Sequence, residues 1–394
     1  MFDTPIVAGM LILAVFALGE FVSIITRARV PMLFVVMIGY LILLWTGIFP
    51  KDIVDKANFT AFASILPALL IVHMGTLIPI KQLKEQYKAV FIALAGIVVA
   101  TLLIFAVCAP ILGYTEAVSG IGPLVGGTIA YIITSEKLTE LGLTAMVTIP
   151  ALILAIQGLI GMPLANFFLR KRGLAIVKSL RENGTQEVAA TVEATNLFEK
   201  KEESKKSFLP KKYQTHVILL FQVFLGAALA TWLGNVTHIN YSLWALAIGL
   251  IGSYFGFYVG SIMERANSFG ILITLLMVLV MSSMSSITPS MFTGYLPEVA
   301  FIMVVGIVGI LIGGFIVSKL VKWDPNKGMP VAITALFGFP GDYILCEEVS
   351  RSVSKNEAEQ KAVFNELLTP MLVGGFTTVT VASVVIAGIV MSTL

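Results

Sequence analysis

Long apolar runs separated by short polar turns dominate the chain. They cover roughly 5–26, 30–48, 59–78, 87–112, 120–133 and 141–169. A polar stretch from Arg170 to Gln214 follows, and the pattern restarts at roughly 215–236, 241–262, 266–287, 296–321, 329–345 and 363–391. Many of the runs approach the ~20 residues that cross a bilayer as a helix. The pattern predicts an all-α polytopic membrane protein. Six runs, a polar stretch and six more runs predict an internal duplication. The expected organisation is a first transmembrane repeat over 1–169, a flexible cytoplasmic linker over 170–214 and a second repeat over 215–394.

Register and charge refine this expectation. At an offset of 210 residues Leu33, Ile38 and Gly39 fall on Leu243, Ile248 and Gly249, and His73–Pro79 falls on Ser283–Pro289. Pro150 corresponds to Pro370 once the longer polar stretch after Cys346 is allowed for. The short runs 120–133 and 329–345 are each followed by a polar turn and a long run. Each is read as a re-entrant hairpin that descends to the polar tip and returns. Two repeats of five spans plus one hairpin each are then inverted relative to one another, because five is odd. With the N-terminus outside, Arg27, Arg29, Lys81, Lys84, Lys88, the basic linker, Arg265, Lys319, Lys322 and Lys327 all lie inside. Only Lys51 and Lys56 lie outside, as the positive-inside rule expects.

Composition agrees: of 394 residues 57% are hydrophobic and 12% charged, with a mean hydropathy of +0.94. The first run has no basic flank and no clear cleavage site, and reads as a retained span. Two cysteines and three scattered histidines form no disulfide framework or metal cluster. No phosphate-binding loop is present. An intramembrane enzyme needs a catalytic pair at matched depth, and Asp342 has no second aspartate inside any run, so the chain is not read as an enzyme. Nothing in the pattern points to nucleic acid.

Candidate chemistry concentrates where apolar segments break. Gly338-Phe-Pro-Gly-Asp342 places a carboxylate beside a glycine–proline break. Such a break frees backbone amides and carbonyls, which lipid cannot satisfy. A carboxylate at that depth is a candidate functional group. The first hairpin carries Gly126, Gly127 and Thr128, and the second carries Gly338 and Gly341; glycine lets backbone approach a ligand. Gln157 and its repeat counterpart Thr377, with Thr378, offer an amide and hydroxyls. The expected substrate contacts are therefore Gly126, Gly127, Thr128, Gln157, Gly338, Gly341, Thr377 and Thr378. Asp342, Thr128 and Thr377 are the expected cation-coupling groups. Each group also has a structural reading, as small-residue packing or an interhelical hydrogen bond. His73–Thr76 against Ser283–Ser286 is read as a possible access path, with His73 more simply a structural hydrogen-bonder. Glu20 has no acidic counterpart in the second repeat, and Glu347, Glu348, Arg351, Glu357 and Glu359 read as a solvated tip.

Three stretches resemble the glutamate:sodium symporter family. Gly158–Arg172 is similar to the end of that family's first repeat, Gly126-Gly-Thr128 occupies the place of its first hairpin motif, and Leu368–Gly375 is similar to its last span. The motif's histidine is absent here, and Phe337–Asp342 replaces a run of small residues. The resemblance, or one to a related inverted-repeat, two-hairpin family, implies sodium-coupled uptake of a small organic anion such as glutamate or another carboxylate. It implies an elevator mechanism, a homodimer and a bacterial inner-membrane location, with sodium the coupling ion and no other cofactor. The alternative from the residues is a sodium–proton antiporter that uses Asp342 and has no organic substrate.

Overall fold

The computed structural model describes residues 4–63, 65–77, 86–182, 208–237, 241–282, 285 and 288–394, apart from the side chains of 63, 128, 129, 242, 291–293, 380 and 381. All regular structure among these residues is helical. The first half contains α1 (Pro5–Ile25), α2 (Met32–Trp45), α3 (Leu66–Leu77), α4 (Tyr87–Leu103), α5 (Tyr114–Gly126), α6 (Thr128–Glu140) and α7 (Thr148–Glu182). The second contains α8 (His216–Thr237), α9 (Tyr241–Tyr254), α10 (Phe269–Ser282), α11 (Pro289–Leu320), α12 (Pro325–Ile333), α13 (Gly341–Val353), α14 (Glu357–Phe376) and α15 (Ser383–Met391). Among the described residues six stretches are long and apolar enough to cross a membrane: Pro5–Ile25, Tyr87–Leu112, Thr144–Glu182, His216–Thr237, Gly294–Leu320 and Glu357–Met391.

The chain divides into two compact units, and each draws on both halves of the sequence. The first comprises Met1–Ile12, Asp52–Glu85 and Lys178–Ser282. Within it α3 packs on α8, α9 and α10. Gly75 lets α3 and α9 meet backbone to backbone: a Cβ there would lie 2.7 Å from the Leu246 carbonyl oxygen and 2.8 Å from Gly249 Cα. His73 is fully buried in this unit, against the Phe269 ring at 4.9 Å, with Nδ1 3.4 Å from the Met263 amide. That setting favours its structural reading over an access path.

The second unit comprises Leu13–Lys51, Gln86–Val177 and Ser283–Leu394. Here α4 lies along α11, with Gly309 against Ala100 and Gly313 against the Ala95 carbonyl. Such close approach strengthens van der Waals packing, which holds helices together where lipid removes the hydrophobic drive. Ser285, the one described polar residue of the 283–286 stretch, shares a 2.7 Å hydrogen bond with Tyr40.

Two expectations change. The linker boundary at 169 falls inside α7, which continues unbroken to Glu182. Leu169, Gly173 and Val177 are buried at helical spacing, and the intervening Arg and Lys residues are good helix formers. Residues 183–207, the middle of the expected linker, lie outside the described residues. The first hairpin turns at Gly127 instead of in the polar stretch 134–140, because Thr134 on α6 packs against Gly122 on α5. Gly127 has φ +74°, which a side chain opposes, so glycine sets the reversal. The second break lies between α12 and α13, and both of these pack on α14, the helix that carries Pro370.

Candidate functional site

One long helical stretch, Glu357–Met391, organises the second unit. It is interrupted by a π-helical segment, Thr377–Ala382, which separates α14 from α15. Extra residues of this kind widen a helix and recur at functional sites. Thr377 donates its hydroxyl to the Val373 carbonyl at 2.6 Å, and Thr378 donates to the carbonyls of Gly374 and Gly375, both at 3.1 Å. Threonine back-bonding of this type loosens the regular ladder.

The breaks meet around this segment. Both legs of the first hairpin, α5 and α6, pack on α15, and α12 and α13, on either side of the second break, pack on α14. Between them stands Val379. A Cβ at Gly127 would lie 3.4 Å from one methyl of Val379, and a Cβ at Gly338 2.9 Å from the other. The two breaks are thus held on opposite sides of one valine. Gly126 packs directly on Ser383. Gly338, with φ +55°, ends a short 3-10 turn at Thr334–Leu336. Phe339 stacks on Phe376 at 6.3 Å and fixes the loop against α14.

Asp342 sits in the first turn of α13 and is fully buried. Its Oδ1 accepts the Tyr343 amide at 2.7 Å, and the helix N-terminus favours an anion there. Its Oδ2 is buried and has no hydrogen-bond partner among the described residues. That oxygen points at Gly375: a Cβ there would lie 2.7 Å from Oδ2, 3.6 Å from Gly338 Cα and 3.7 Å from Thr334 Cβ. Asp342, Gly338 and Thr334 therefore come together against Gly375. A buried carboxylate oxygen without a donor is costly unless a proton or a cation satisfies it.

Gln157 belongs to the same unit. It is 3% exposed, and its Oε1 is buried without a partner. It lies one turn before Gly161, whose Cβ would touch Leu336 and Phe337 at 2.7 and 3.1 Å. Gly341 packs beside Met162 and Phe337. Of the expected residues, Gly338, Gly341, Asp342, Thr377 and Thr378 thus gather on or beside α14, Gly126 and Gly127 join them across Val379, and Gln157 lies one turn from Gly161, which packs on Phe337. Thr128 opens α6, but its side chain lies outside the described residues. Sequence reasoning missed Thr334 and the Gly374–Gly375 pair. A double glycine inside a helix shortly after Pro370 was the available signal.

The chain matches no known family model, and no curated protein matches it significantly. Among the described residues no three His, Cys, Asp or Glu side chains group as a metal site.

Proposed function

We propose that the protein is a cation-coupled secondary transporter of a small organic anion, with Asp342 the coupling carboxylate. The observation that carries this reading is the buried Oδ2 of Asp342, without a donor and facing Gly375, with Gly338 and Thr334 close by. A monovalent cation, sodium in the first instance, supplies the missing positive charge. The adjacent break at Gly127 exposes the N-terminal amides of α6, which suit a carboxylate on the solute. Gln157 offers its amide to the solute's polar groups.

The order of helices supports a duplicated, inverted architecture. α1 and α8 have 21 and 22 residues, and α2 and α9 have 14 each. The single helical turns Ile53–Lys56 and Ile262–Arg265 follow, then α3 and α10, α4 and α11, and a broken pair in each half. The two turns match in detail. Asp55-Lys-Ala-Asn58 and Glu264-Arg-Ala-Asn267 each end on an asparagine with positive φ, at 59° and 53°. The Asn58 amide donates to Asp55 at 2.8 Å and the Asn267 amide to Glu264 at 2.9 Å. Inverted repeats with broken helices are a transporter pattern. In an elevator mechanism the unit that holds both breaks is the mobile carrier and the other unit the scaffold, the latter in a homodimer.

The test is flux in proteoliposomes together with thermal-shift screening of carboxylates in sodium or potassium. A sodium-dependent shift and uptake, both abolished in Asp342→Asn, are the expected results. An Asp342→Asn protein with the parent's sodium dependence overturns the reading. Proton release on adding sodium alone, without any organic solute, reassigns Asp342 to sodium–proton exchange.

A further inference from the structure

A second carboxylate on α13 is nearly as enclosed as Asp342. Glu348 is 3% exposed, although its neighbours Glu347, Arg351 and Glu357 suggest a solvated tip. Its Oε1 accepts the backbone amide of Met32 at 2.9 Å. Met32 opens α2, and its N-cap, Pro31, supplies no side-chain cap of its own. Glu348 therefore caps α2 from another helix. Its Oε2 is buried and makes no hydrogen bond of good geometry among the described residues, the Ser23 hydroxyl being the donor beside the carboxyl.

The corner between α1 and α2 is built around this contact. Arg27 and Ala28 adopt positive φ, 53° and 51°. Asn166 on α7 donates to the Ala28 carbonyl and Arg170 to that of Arg27. Arg170 also reaches Ser352 on α13 at 3.3 Å. The charged groups facing Glu348 are Glu20, on α1, and Arg351, on its own helix; Ser23 of α1 lies beside it. Glu20 and Arg351 pair with each other at 2.6 Å and are 35% and 41% exposed, so this pair connects the enclosed carboxyl to water.

We propose that Glu348 is a proton-binding site, separate from Asp342, and that protonation there loosens α13 from the N-terminus of α2. An ionised cap holds a backbone amide about twice as strongly as a neutral one. Protonation removes that charge while leaving an oxygen to accept, so the contact weakens without a steric change. A metal ion suits the place poorly: it needs several oxygen ligands, and Arg351 adds repulsion. A purely structural cap would stay ionised and take up no proton in the physiological range. This inference stands apart from the transport reading, since its readout is proton binding alone.

The experiment is a difference titration of the full chain in detergent between about pH 5 and pH 8. Glu348→Gln, which keeps the cap's size and an accepting oxygen, is expected to bind one proton fewer than the parent. The same deficit is expected when the substitution is made in the Asp342→Asn background. Equal uptake overturns the proposal, and loss of the deficit in that background overturns the separation of the two sites. If the Gln variant does not fold, a hydrophobic carbodiimide, which attacks protonated carboxyls, is applied to the parent. Modification of Glu348 at about pH 6 and not at about pH 8 supports the proposal. Modification that is equal at the two values, or absent at both, overturns it.

Discussion

Gly375→Ala probes the candidate cation site without touching its charge. The new methyl would stand 2.7 Å from Asp342 Oδ2, while its other near neighbours, Gly338 Cα and Thr334 Cβ, stay at ordinary contact distances of 3.6 and 3.7 Å. A hard cation sits roughly 2.3–2.6 Å from a carboxylate oxygen, so methyl and cation compete for one volume. For folding, overpacking costs about 1–3 kcal/mol, and replacing a helical glycine by alanine returns about 1 kcal/mol. The variant should therefore fold with a net loss of no more than about 2 kcal/mol. Cation affinity should fall at least about tenfold, or ~1.4 kcal/mol of binding. In a thermal-shift titration that removes on the order of 2 °C of the sodium-induced stabilisation at saturating salt. Gly388→Ala is the control, because nothing lies within 4 Å of a Cβ there and only helix propensity changes. A Gly375→Ala protein with the parent's half-saturating sodium concentration refutes a cation beside Oδ2.

Two other substitutions follow from the same geometry. Gly126→Ala drives a methyl into Ser383, and the Ser383 backbone 3.0 Å away leaves it no escape, so a loss of about 1–3 kcal/mol in thermal or denaturant stability is expected. Ser383→Gly in the same chain should restore much of that loss; no restoration means that the hairpin does not seat on α15 as described. Single cysteines at residues 190 and 3 should react with impermeant reagents from the cytoplasmic and the outer side respectively. A residue 190 labelled only from outside would refute the inverted topology.

The period and length of the apolar runs were enough to determine an all-helical chain with several membrane-length helices. Burying a helix's backbone in an apolar medium leaves few other choices, so composition alone carries that information. The Gly338–Asp342 break was legible for a local reason: a glycine with positive φ, or a proline, interrupts a helix wherever it sits, whereas the turn at Gly127 was missed because the polar stretch 134–140 was read as the tip. What the breaks meet was not legible. That Val379 separates them, and that Gly375 faces Asp342 Oδ2, depends on which side of α14 each segment packs against, and that choice is made by contacts between residues distant in the chain. The end of α7 was misread because charge marked a linker where buried Gly173 and Val177 continued a helix. Glu348 was misread for a related reason. Its charged neighbours look like a solvated tip, yet α13 turns this one side chain inward to the amide of Met32, 316 residues away in sequence. Local composition reports how polar a segment is; only the tertiary packing decides which of its polar groups leaves water.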